Sequence, residues 1–178
     1  MGDRRAQILS KAESLLFQHG FRAMRVDDLA RELGISKRTL YEEFRSKAEI
    51  TQQVLIELDQ RFQPAIRQTA KISDPVERLR SVVELIANIY VGIDPPFFQD
   101  AETVVDLSAW VEASQGRCAA AIEAVVRAGI ADGTFRPSLD PGVVSQVLLV
   151  AMNPGVSIPR RLEAWRARTE LIMNGVLG

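Results

Sequence analysis

The stretch VDDLARELGISKRTLYEEF, residues 26–44, decides how the rest of the chain is read. It predicts a short helix from about Val26 to Leu33, with Asp27 and Asp28 beside the orphan amides of its first turn. Gly34, lacking a Cβ, predicts a left-handed stop there, with Ile35 folding back toward Leu29 and Ala30. A second short helix then opens on Ser36 as N-cap and places Leu40 and Phe44, four residues apart, on one inward face. Lys37, Arg38, Tyr41 and Glu42 are left pointing elsewhere. Two short helices joined by a tight glycine turn, the second with a basic, hydroxyl-rich first turn, describe a helix-turn-helix.

On the N-terminal side, Ile8, Leu9, Ala12, Leu15 and Leu16 form one helical stripe expected to end at Gly20, with Phe21 returning over Leu16. On the C-terminal side, Ser46-Lys47-Ala48-Glu49 reads as a capping box that opens a long fourth helix through Val54, Leu55, Leu58 and Phe62. Pro64 is expected to end or kink it. Asp74-Pro75-Val76-Glu77 is a second box, and Leu79, Val82, Val83, Ile86 and Tyr90 are the stripe of helix five. Residues 92–99, with Pro95 and Pro96, read as a breaker before a short helix near 100–107. A long helix from about Ala109 to Ala131, another opening at Asp140-Pro141, and a last one at roughly Pro159 to Asn174 complete the chain. Strand alternation flanked by hairpin turns is missing from the sequence, so the fold class is all-α. Its organisation is an N-terminal three-helix helix-turn-helix domain, residues 1–46, followed by a helical ligand-binding and dimerisation domain, residues 47–178.

Composition narrows the function. The 178 residues include one Cys and one His, too few for an internal disulfide, a zinc-finger ligand set or a His-rich metal site. No apolar run approaches transmembrane length, and the first 15 residues alternate charge with small apolar groups instead of forming a signal peptide, so a cytoplasmic protein with no membrane partner is expected. Residues 1–50 carry ten Lys or Arg against eight Asp or Glu, and the remainder twelve against fifteen. The basic head and acidic body fit a chain whose head alone approaches phosphates.

A DNA reader needs side chains that reach base edges and donors that hold the backbone in register. Lys37 and Arg38 supply donors for guanine O6 or N7, and Thr39 a hydroxyl and a methyl. Tyr41 and Lys47 are candidate phosphate donors, with Arg25 and Arg45 adding backbone contacts from the flanks. Glu42 either accepts from a cytosine amino group or pairs with Arg38 one turn earlier. Ser36 completes the DNA-facing set. A nucleophile, base and orienting group in recognisable arrangement are missing, so an enzyme is not expected, nor is a cofactor or a metal.

The segment from Ile8 to Ile50 resembles the N-terminal DNA-binding domain of the TetR family of bacterial transcriptional regulators. The resemblance lies in Ile8-Leu9 with Ala12 and Leu16-Phe17, Gly20-Phe21, Val26-Asp27-Asp28-Leu29-Ala30, Leu33-Gly34-Ile35-Ser36-Lys37, Thr39-Leu40-Tyr41, and Phe44 with Ser46-Lys47. It implies that the positions of Lys37, Arg38, Thr39 and Tyr41 touch bases or phosphates and that Lys47 contacts the backbone. Four positions depart from the family pattern: Arg38 stands where small residues are common, Glu42 and Glu43 where aromatics, His or Asn are frequent, and Arg25 where a Thr or Ser N-cap is preferred.

The resemblance also implies a homodimer closed by the last two helices, here Val144, Val147, Leu148 and Ala151 with Leu162, Trp165, Thr169, Ile172 and Met173. It further implies an effector pocket within helices five to seven. Ile89, Tyr90, Phe97, Phe98, Trp110 and Cys118 bring apolar bulk to that region and are the pocket candidates; they fit equally as ordinary core. With no basic cluster there, the unknown small-molecule effector is expected to be apolar or weakly polar. The whole reading is a repressor on a palindromic double-stranded operator. The alternative is a helical protein-interaction module that has lost specific DNA binding, motivated by Glu42 and Glu43.

Overall fold

The computed structural model describes residues 2–152 and the separate positions 167, 170, 171, 174 and 175. Among the described residues there are eight α-helices and no strand: α1 (Gly2–Ala23), α2 (Val26–Glu32), α3 (Lys37–Glu43), α4 (Lys47–Thr69), α5 (Pro75–Val91), α6 (Pro95–Ala101), α7 (Val105–Ala131) and α8 (Pro141–Met152). Of the last helix expected from the sequence, only positions 167, 170, 171 and 174 are described, and all four are helical. Two compact units are formed, one by Met1–Arg61 with Gly92–Trp110, the other by Phe62–Val91 with Val111–Gly178.

The core of the first unit draws Ile8, Leu16 and Phe17 from α1, Leu29 from α2, Leu40 from α3, Ile50 and Val54 from α4, and Phe97 from α6. Full burial of such a side chain stabilises by about 1.5–3 kcal/mol. The turn between α2 and α3 is a Schellman motif: Ile35 N–H donates to Ala30 O at 3.0 Å and Gly34 N–H to Arg31 O at 3.1 Å, with Gly34 at φ 65°. Ser36 then caps α3, its Oγ accepting from Thr39 N–H at 3.0 Å. Ser36→Ala is expected to cost about 1 kcal/mol, seen as a lower urea midpoint at unchanged slope; an unchanged midpoint would contradict the cap.

At the start of α4, Glu49 N–H donates to Ser46 Oγ at 3.1 Å while the Glu49 carboxylate accepts from Arg45 N–H at 2.7 Å. This is the expected box, with its return bond made to the residue before the cap.

Three local expectations are corrected. Pro64 does not end α4, which runs on to Thr69. Pro64 and Gln60, one turn earlier, are both exposed residues, so the hydrogen bond that the proline removes lies on the open side of the helix. Pro95 and Pro96 begin helix α6 instead of breaking the chain, because a first-turn proline removes only an amide that has no helical acceptor. The short helix expected near 100–107 is accordingly divided between the end of α6 and the start of α7.

Gly20 adopts φ 78°, ψ 172°, a mirror-extended conformation rather than a left-handed cap, and helical bonding resumes through Ala23. Its Cα faces α6 closely: a Cβ would fall 2.6 Å from Asp100 Oδ2 and 2.8 Å from the Pro96 carbonyl oxygen.

The second unit has its own core, in which Phe62, Leu79, Val83 and Ile86 meet Ile122, Val126, Phe135 and Leu148. Gly129 there leaves room for the Phe135 ring, which a Cβ would overlap. Asp140 caps α8 by accepting from Val143 N–H at 2.9 Å.

Candidate nucleic-acid interface

The α3 helix has one buried and one open side. Leu40 and the following Phe44 are almost fully buried, whereas Tyr41 is 48% exposed and the Arg38 side chain 90% exposed. The rear is fixed further by Arg5 of α1, whose guanidinium lies 4.1 Å from the centre of the Phe44 ring and donates from Nη1 to the Glu43 carbonyl at 2.7 Å. Nothing in the local periodicity of α1 points to that role for Arg5, since its partner is 38 residues away.

On the open side the cations are paired. Lys37 Nζ lies 2.5 Å from Asp27 Oδ1 in the first turn of α2, and Arg38 Nε lies 3.2 Å from Glu42 Oε1. The second pair is one of the two roles that spacing allows Glu42. For Asp27 the sequence offers only helix amides as partners, because a contact between different helices leaves no local spacing. Ser36 and Thr39 share a hydroxyl contact of 2.9 Å at the start of the helix. Arg25 and Arg45 are exposed. Arg25 occupies the N-cap of α2 with no cap hydrogen bond from its side chain, in keeping with its departure from a Ser or Thr cap.

Lys47 is engaged by the end of α1 and the residue that follows it. Its Nζ donates to Phe21 O at 2.8 Å and Met24 O at 3.1 Å and sits 4.2 Å from the centre of the Phe21 ring. Burial lowers its pKa, and the negative charge of Asp100 opposes that shift. Asp100 is itself buried and accepts from Arg22 N–H at 2.8 Å. The Gly20 break thus delivers two carbonyls to Lys47 and one amide to Asp100, tying the end of α1 to α4 and α6. Only the folded chain brings these residues together.

The pocket candidates separate into two packed groups. In the first unit the Phe97 ring makes edge contacts with Phe17, Phe98 and Trp110, at centroid distances of 5.6, 5.4 and 6.1 Å. In the second, Ile89 and Tyr90 pack on the core that contains Cys118. Burial there also raises the Tyr90 pKa. An open groove of about 500 Å³ between the end of α4 and α5, with Gln68, Thr69, Ser81, Glu84 and Asn88 on its walls, involves none of these candidates.

Of the expected dimer residues, Val144 and Leu148 are buried in the protomer's own core. Val147 is exposed and Ala151 half-buried. Leu162, Trp165, Thr169, Ile172 and Met173 lie outside the described residues. The exposed apolar side of α8 is Val143, Val147 and Val150, at 57%, 47% and 62%. No helix of the described residues is long and apolar enough to cross a membrane, and no group of three His, Cys, Asp or Glu among them is placed to hold a metal ion.

Residues 8–54 match the family model described as bacterial regulatory proteins, tetR family. The chain is 29% identical over 149 residues to the HTH-type transcriptional repressor KstR2 of Mycolicibacterium smegmatis, covering 79% of this chain and 72% of that protein. It is 30% identical over 125 residues to the HTH-type transcriptional activator FasR of the same organism, covering 67% of this chain and 57% of that protein. Among solved structures it shares the fold of the ketosteroid transcriptional regulator KstR2 of Mycobacterium tuberculosis, with a TM-score of 0.76 at 22% identity over 98% of this chain and 95% of that one.

Proposed function

We propose that the chain is a TetR-family DNA-binding transcriptional regulator and not an enzyme, acting as a cytoplasmic homodimeric repressor of a palindromic operator. The observation that carries this reading is the two-sided α3, anchored by Leu40 and Phe44 and presenting Arg38 and Tyr41 to solvent. Residues 1–46 are the DNA-binding part, and residues 47–178 bind the effector and the second protomer. Arg38 reads a guanine edge, Lys37 and Thr39 neighbouring bases or phosphates, and Tyr41, Arg25 and Arg45 the backbone. Lys47 acts by holding the end of α1 against α4, leaving at most its remaining Nζ proton for a phosphate.

Two copies of α3 must meet successive major grooves about 34 Å apart. The exposed valines of α8 offer an apolar surface for joining protomers, at a spacing that forms one helix face. A small molecule that binds better to the arrangement with misplaced α3 helices shifts the population and releases the operator. An apolar or weakly polar ligand suits a chain with a ketosteroid regulator among its structural relatives. Of the two curated relatives, one is a repressor and the other an activator; the repressor is the one matched over more of this chain.

Selection of bound duplexes from a random library tests the reading. A palindromic consensus that lowers reporter output supports it; no enrichment at low salt would leave the protein-interaction alternative. Arg38→Ala is expected to weaken discrimination at one base pair per half-site by about 1–3 kcal/mol. Equal losses on consensus and random duplexes would remove its reading role.

A further inference from the structure

We propose that Asp27 and Glu42 are specificity-determining residues: paired to Lys37 and Arg38, they lower the affinity of α3 for the phosphate backbone while leaving its base-reading donors in place. The inference rests on the reading of α3 as the helix that enters the groove. All four side chains are more than half exposed, so neither pair is a packing requirement, and exposed pairs contribute little to folding. Their consequence lies in the field that α3 presents to DNA.

Sequence-independent affinity comes from cations that neutralise phosphates and displace condensed counterions. A lysine or arginine whose charge is already balanced at 2.5 or 3.2 Å adds little to that term, and the carboxylate beside it repels the phosphates. Base reading makes a different demand. Glu42 engages Arg38 through Nε, and a guanine edge needs only the two terminal nitrogens for its O6 and N7. The same pair therefore penalises random DNA more than a cognate site.

The test compares full-length Asp27→Asn and Glu42→Gln with the parent on a random duplex and on the selected operator, across a salt series. Glu123→Gln, whose carboxylate pairs with Arg127 on α7, is the control of equal charge change. Each of the two α3 variants is expected to bind random duplex about tenfold tighter near 0.1 M salt, with the log–log salt slope steeper by about 0.9 per protomer, about 1.8 for the dimer. Operator affinity should rise less, so the specificity ratio falls, and Glu123→Gln should change neither. Random-duplex affinity and slope equal to the parent's in both variants would overturn the proposal. So would an equal rise in Glu123→Gln, which reduces the effect to net charge. A loss of operator affinity in Glu42→Gln with random binding unchanged would also overturn it, since Glu42 then only orients Arg38. If the parent binds no duplex, the functional reading itself fails, a result visible before any variant is compared.

Discussion

Gly20→Ala is expected to lose about 3–5 kcal/mol of stability, from a strained backbone and an overlapping Cβ acting together. At φ 78°, ψ 172° the residue occupies a region that is nearly glycine-only, and the added carbon would stand 2.8 Å from the Pro96 carbonyl oxygen and 2.6 Å from Asp100 Oδ2. Neither neighbour is free to yield: Pro96 is backbone in the first turn of α6, and Asp100 is held by Arg22 N–H. Gly34→Ala is the natural comparison. Gly34 also has positive φ, 65°, yet a Cβ there would meet no atom within 4 Å, so only the left-handed backbone penalty of about 1–2 kcal/mol applies. Urea midpoints of the two variants separate the effects. A loss in Gly20→Ala no greater than in Gly34→Ala would mean that the close approach of α6 to this turn does not constrain folding.

Phe44→Ala is expected to cost about 3–5 kcal/mol, a large share of the 5–15 kcal/mol typical of a folded domain. The ring is 1% exposed, closes the rear of α3 and supports the Arg5 guanidinium. Its loss should detach α3 from its seat and weaken operator and random duplexes together, unlike Arg38→Ala, which should separate them. Tyr41→Ala, three residues earlier on the open side, should leave the unfolding midpoint within about 0.5 kcal/mol of the parent. If Tyr41→Ala proves as destabilising as Phe44→Ala, the assignment of the two faces of α3 is wrong.

These two positions mark how far the sequence reaches. The Phe44 anchor, the Gly34 stop and the Ser36 cap are all legible in it, because each depends on residues within about four positions along the chain. The Arg38–Glu42 pair is legible for the same reason, as an i, i+4 spacing on one helix. The Gly20 break is located correctly by the sequence but given the wrong geometry, since its conformation answers to α6, some 75–80 residues further on. The double proline of α6 reads as a breaker because helix initiation and helix interruption by proline differ only in what precedes the ring. Resemblance assigns Val144, Val147, Leu148 and Ala151 to a dimer face; packing in the second unit buries Val144 and Leu148 and leaves Val147 outside with Val143 and Val150.

The sequence by itself determined the helical class, the helix-turn-helix and its outward residues, since hydrophobic period, caps and glycine stops act over one or two turns and need no partner. Only the tertiary structure decided that Lys47 grips the end of α1, that Asp27 reaches Lys37 and that Arg5 braces Phe44. Those contacts join residues 10 to 39 apart, and a charge or a carbonyl carries no periodicity that announces which distant group it will meet once burial has brought the helices together.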